Sequence, residues 1–391
     1  MTARAHHRWI ALVVAALVAA ACGGTRVADW EPRPGPYDRF EGDAERVEEG
    51  PLELARARQQ VSAGDADDAR ARLLALAELH PRNLYVATAL QDVELELLRT
   101  GGDVVELDRA LETSGLPQDG SPAVRLRRWY RLRAEATDAP DAFALVLAAR
   151  IETDAPSALL LLESAVRADP DCVWAHLGRA HFLLREGELE AGRTALDRAI
   201  ALDAGHPRVR RLEATLLERL GERDAARRLL ETWIEQVAGD WRVPDGDVLD
   251  ANLDLVTYDV EADRPERALA RLDALYVEAP ARRARALLLR SAALASLGRY
   301  EACLDAVYEA RFLGAGSYLA EEHEARLLQD GLGDAQGALE AWRAVRELAG
   351  TLAPSSGAAA LAALRARAEI ERLERTLRPD DAGLLEAAAQ P

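Results

Sequence analysis

Seven times in this chain a small residue is followed, four places on, by a large apolar one. The small residues are Ala69, Ala158, Gly192, Ala226, Ala268, Cys303 and Ala338, and their partners are Leu73, Leu162, Leu196, Leu230, Leu272, Val307 and Trp342. Five places before the small residue stands Gly64, Gly187, Gly221, Gly298 or Gly333, with Thr153 and Asp263 in the other two cases. The step is 34 residues through Ala158, Gly192 and Ala226, and 35 through Ala268, Cys303 and Ala338. A spacing of four puts both residues on one face of a helix. The small residue lets a second helix approach closely, and the large one fills the gap toward the next pair. A helix of about 14 residues is marginal alone, so a unit this size depends on its neighbours for burial.

Composition agrees with helix. Of 391 residues, 49% are apolar, chiefly Ala and Leu, and only 5% are aromatic. Ala and Leu lose little entropy in helices, and β-branched strand formers are scarce. The net charge is −18, a field that opposes nucleic acid and anionic lipid over most of the surface, although a local basic patch could still exist. Every basic side chain other than His is Arg, which excludes Schiff-base lysine chemistry and a lysine-type phosphate loop.

A period of 34 with this pattern resembles the tetratricopeptide repeat, a helix–turn–helix unit that stacks into a solenoid. Trp174-x-x-Leu177-Gly178 also fits the family's W-x-x-L-G, which would shift the first helix of that unit by two residues. The resemblance implies an all-α, right-handed α-solenoid of about eight helix–turn–helix units closed by a C-terminal capping helix. Residues 51–137 read as a first clear unit followed by degenerate helical units. Residues 138–350 read as the regular solenoid, interrupted by an insertion holding Gly239, Trp241 and Pro244. Residues 351–391 read as the capping helix and a tail, since the last apolar face of a solenoid must be covered.

The N-terminal 1–21 reads as a signal peptide, with Arg4 and Arg8 before an uncharged run from Trp9 to Ala21. That run is too short for the roughly 20 residues a spanning helix needs. Ala19-Ala20-Ala21-Cys22 resembles the lipobox of bacterial lipoproteins, in which the cysteine becomes the lipidated first residue. Gly23 after it implies the periplasmic face of an outer membrane, by the sorting rule of that family. The alternative is an ordinary Ala-x-Ala secretory site cut at the same bond. Residues 22–50, with Pro32, Pro34, Pro36 and many acids, read as a flexible tether. Cys172 and Cys303 lie too far apart along a solenoid to pair. Cys172, after Asp169-Pro170, is expected to be reactive and Cys303 protected.

No motif for catalysis or cofactor binding is present. There is no Walker loop, G-x-S-x-G or CxxC, and neither His176 and His181 nor Asp245–Asp250 has metal-site spacing. No metal or cofactor is expected, and the chain does not read as an enzyme. Arg125, Arg127, Arg128, Arg131 and Arg133 around Trp129 and Tyr130 read as a solvated helix face, with an anion site as the alternative.

In tetratricopeptide proteins the first helix of each unit lines a concave groove. That resemblance puts Trp174, His181 and Arg185 beside Arg208, Arg211 and Arg219, with Asp250 and Glu261 on the unit after. The six from Trp174 to Arg219 are the candidate groove site, for a protein or peptide partner with an acidic segment as one candidate. The expected role is a non-catalytic scaffold on the periplasmic side of a bacterial envelope, anchored through Cys22. A soluble exported subunit of an envelope enzyme or secretion complex is the alternative.

Overall fold

The structure is a computed structural model that describes residues 35–377, apart from 42–43, 63, 100–103, 105–108, 110, 116–118, 136–138, 278–279, 314–317 and 353–356. Residues 1–21, expected to be a signal peptide, Cys22 and the tail after 377 lie outside the described residues. Every extended element among the described residues is helical. They run α1 (Ala44–Ser62), α2 (Ala66–Leu79), α3 (Leu84–Arg99), α4 (Pro122–Glu135), α5 (Ala142–Arg150), α6 (Ala155–Ala168), α7 (Val173–Glu186), α8 (Leu189–Leu202) and α9 (Pro207–Arg219). Then follow α10 (Arg223–Gln236), α11 (Asp245–Glu261), α12 (Pro265–Asp273), α13 (Pro280–Ser296), α14 (Tyr300–Phe312), α15 (Tyr318–Arg326, extended by a π turn over Leu327–Gly331), α16 (Ala335–Leu352) and α17 (Gly357–Leu377).

Successive helices pack as hairpins, and alternate helices touch along the stack. The chain is thus an all-α solenoid, and the helices of the described residues fall into eight pairs, α1/α2 through α15/α16, with α17 closing the last pair. All seven small residues and their large partners are buried. The glycines five residues earlier adopt left-handed φ values of 68° to 87°, which reverse the chain at no steric cost. Asp263 makes the same turn at φ 55°. Thr153 does not. The short α5 ends at Ile151, and Asp154 caps α6 by accepting from the Ser157 amide at 2.9 Å.

Within the degenerate stretch, helix α4 packs between α3 and α5. The Tyr130 hydroxyl donates to Glu94 on α3 at 3.1 Å, and Arg131 holds Glu152 beyond α5. Burial raises the pKa of Glu94, against the pull of Arg70. Both partners of Tyr130 and Arg131 are thus buried carboxylates that set α4 in place.

The segment before Pro51 departs from the expected tether. Helix α1 begins at Ala44 and runs through Gly50-Pro51. Glu48 and Glu49 stand in its first turns, where the helix dipole favours acids, and Pro51 costs one internal hydrogen bond. Residues 35–41 lie against the solenoid, with Tyr37, Asp38 and Phe40 buried. No described helix is long and apolar enough to cross a membrane.

Candidate functional site

The candidate residues stand on the first helices of successive pairs. Helix α7 presents Trp174, His181 and Arg185, α9 presents Arg208 and Arg211, and α11 presents Asp247, Asp250 and Asp254. Helix α9 starts at Pro207, whose fixed φ suits the first turn, and His206 caps it by accepting the Arg208 amide on Nδ1. With Nδ1 an acceptor, Nε2 carries the proton and faces the Tyr85 hydroxyl at 3.3 Å. Burial, then the charges of Arg208 and Arg242, hold His206 neutral, its pKa well below the usual range.

Of the six expected groove residues, the fold brings five together. The Arg208 guanidinium lies 4.6 Å from the centre of the Trp174 ring. His181, open to solvent, has its pKa lowered first by the surrounding protein and then by Arg185, Arg208 and Arg211. Arg219 stands apart, exposed near the C-terminus of α9.

The cluster is less basic than its sequence suggests. Arg211 donates to the Asp247 carbonyl and faces Asp254 at 3.8 Å. Asp254 also takes Arg285, and Asp250 takes Arg282 through two bonds of 2.9 and 3.0 Å. Glu261 pairs with Arg223. The pairs of Asp254 and Asp250 link each first helix to the next, and Glu261–Arg223 ties α11 to α10. Among the described residues Arg185 pairs with its neighbour Glu186, at 3.4 Å, and rests on Phe182. Arg208 makes no ion pair among the described residues. Burial lowers its pKa, and nearby Asp247 acts the other way.

Trp174 is not a free anchor. It is 3% exposed, and its Nε1–H donates to the Asp38 carboxylate at 2.7 Å. The groove beside it is filled by the chain itself. The Tyr37 hydroxyl donates to Asp169 at 2.8 Å, and its carbonyl accepts the Leu84 amide. Phe40 packs edge-on against His80 and tilts against Trp241, which in turn meets Tyr85. Tyr85 meets Trp174, and Arg58 donates to the Trp241 carbonyl. The insertion at 239–244 thus crosses the concave side to reach α1 and α3. Sequence reasoning missed Tyr37, Asp38, Phe40, Tyr85, His206 and Trp241. Their only signal was aromatic residues gathered at irregular places in a chain that has few.

Cys172 corrects another expectation. It stands at the N-cap of α7 but is fully buried, and burial pushes its thiol up to about 12. The expected exposure ignored residues 35–41, a strap whose Asp38 lies close enough to act on the thiol. Cys303 is buried as expected, against Ser291. In the Arg125–Arg133 run, Arg133 lies over Trp129 and Tyr130, Arg128 pairs with Asp119, and Tyr130 is buried. Among the described residues no group of His, Cys, Asp or Glu could hold a metal ion.

The tetratricopeptide repeat family matches residues 149–216. No curated protein matches the chain. Among solved structures, the Cut9–Hcn1 hetero-tetramer of the APC/C is similar at a TM-score of 0.52 and 16% identity, over 81% of this chain and 55% of that one. A tetratricopeptide repeat protein from Parabacteroides merdae gives 0.43 at 16% identity, over 70% and 97%. PilF of Pseudomonas aeruginosa gives 0.43 at 18%, over 62% and 99%.

Proposed function

From residues 149–216 that match tetratricopeptide repeats, and helices that stack as a solenoid throughout, we propose that the protein is a non-catalytic interaction scaffold. It receives an acidic segment of a partner protein on the concave face at α7 and α9. One observation carries this reading. The Arg208 guanidinium lies over the Trp174 ring and has no carboxylate partner among the described residues, in a groove where the neighbouring arginines Arg211, Arg282 and Arg285 are each matched by an acid. A guanidinium over an indole face keeps its N–H fork for a carboxylate. The chain's negative field turns other anions away and leaves this point attractive.

The test is titration of a fluorescent acidic decapeptide of Gly, Ser and Glu against the whole chain and the Arg185→Glu/Arg208→Glu variant. The variant should lose at least about tenfold in affinity, and added salt should weaken the wild type. Equal binding by both forms overturns the reading.

We also propose anchoring through a lipid on Cys22, which holds the scaffold on the periplasmic side of a bacterial envelope. The Ala19-Ala20-Ala21-Cys22 sequence supports it. Labelling with a radioactive fatty acid should mark the wild type and not Cys22→Ser. Equal recovery of both in the soluble fraction favours a soluble exported protein.

A further inference from the structure

Residues 35–41 contact the solenoid as a bound peptide would. They have neither helix nor strand of their own. Their backbone is read at three points: the Leu84 amide donates to Tyr37, Asn83 Nδ2 donates to the Arg39 carbonyl at 3.0 Å, and His80 Nδ1 accepts the Glu41 amide at 2.8 Å. Their side chains enter separate places. Tyr37 reaches Asp169 and stacks on Phe143, with Arg82 over its ring. Asp38 takes Trp174, and Phe40 lies between His80 and Trp241. The receiving surface is shaped for it. A Cβ at Gly50 would fall inside the Phe40 ring, so the glycine of α1 makes room for that side chain.

Asp38 is the informative residue. A segment serving only to cover apolar surface would place an apolar side chain there, because burying a carboxylate costs free energy. The groove instead presents an indole N–H to it, the kind of contact that reads an acid in a peptide.

We infer that the groove at Trp174 is a recognition site for a partner segment of the form Tyr-Asp-x-Phe, and that residues 37–40 are its resident, displaceable occupant. This rests on the concave groove as the binding face. Tethered to α1 by residues 42 and 43, the strap has an effective concentration on the order of millimolar. A partner enters only as the strap leaves, and the solenoid is closed to weak competitors.

The probe is a fluorescein-labelled decapeptide with the sequence of residues 33–42, followed by anisotropy. It is titrated against the full chain, against Phe40→Ala, and against Tyr37→Ala/Phe40→Ala. Both variants should bind it at least about tenfold more tightly than the wild type, because the resident competitor is weakened while the receiving surface is unchanged. The same peptide carrying Asp38→Ala should bind each variant at least about tenfold more weakly. Phe40→Ala removes a single strap contact, so it carries the test if the double variant fails to fold. Equal affinity of wild type and Phe40→Ala, or indifference to the aspartate, overturns the inference. Binding of the Gly/Ser/Glu decapeptide unchanged by Phe40→Ala would leave the acidic-segment reading standing while removing this one. Failure of both peptides on every form removes both.

Discussion

Residues 35–244 and residues 245–377 are built from the same unit but held together differently. In the first region one large buried apolar cluster joins the strap, α1 to α7 and the Trp241 loop, and two smaller clusters follow it along α7 to α11. Contacts there cross the concave side, such as Tyr85 with His206 and Arg58 with Trp241. In the second region the buried residues form separate small clusters, each shared by adjacent helices. Charged pairs such as Arg282 with Asp250 carry the links between units. A solenoid with nearest-neighbour contacts opens repeat by repeat. One closed on itself across its groove opens as a block, because removing one element exposes the others.

The largest expected effect comes from removing a tryptophan in each region. Trp174→Ala should cost about 3–5 kcal/mol and lower hydrogen-exchange protection throughout 35–244. Trp342→Ala removes a side chain equally buried and bonded to Gln329. It should cost a similar amount, with lost protection confined to α15–α17. If Trp174→Ala acts only on α7 and α8, the two regions do not differ.

Next is Asp259, fully buried between Arg267 and Arg271 at 3.3 and 3.7 Å. Asp259→Ala should cost about 2 kcal/mol, less than a deeply buried pair because both arginines are partly exposed and keep Glu231. Urea denaturation checks the size, and exchange should locate the loss in α11–α12.

The strap should respond to pH. Burial raises the pKa of Asp38 to about 6, opposed by the Trp174 bond, reinforced by Asp203 and countered by Gly35 and Arg242. A carboxyl whose pKa is higher when docked favours docking most below its free value of 3.8, and that gain is lost as pH rises through 6. Between pH 7 and pH 5 strap opening, corrected for intrinsic exchange, should fall about tenfold. In Asp38→Asn this dependence should vanish. A wild type insensitive to pH would contradict the assignment.

The smallest effect is Asp263→Gly. At φ 55° a side chain is strained, so the substitution should stabilise α11–α12 by about 0.5–1 kcal/mol. In the second region that gain should stay local.

These differences mark where sequence reasoning reached. The pairs from Ala69/Leu73 to Ala338/Trp342 were legible because their contacts repeat at fixed short spacing along helices. The family resemblance also placed Trp174, Arg208 and Arg211 on one concave face. What occupies that face was not legible. Asp38 and Trp174 are 136 residues apart, and Tyr37 and Asp169 are 132 apart, with no periodicity linking them. Pro32, Pro34 and Pro36 suggested a tether, whereas Tyr37 and Phe40 decide where residues 35–41 go. Arg211 looked free in sequence because its partner Asp254 lies on the next first helix.

The two buried cysteines report on the two regions directly. In a Cys22→Ser background, native-state thiol labelling measures the opening that exposes Cys172 under the strap and the opening that exposes Cys303 in α14. The account predicts that Cys172 labels about tenfold more slowly or less, and that Phe40→Ala accelerates Cys172 while leaving Cys303 unchanged. Labelling of Cys172 as fast as Cys303, with no response to Phe40→Ala, would contradict the claim that residues 35–244 close on their own strap.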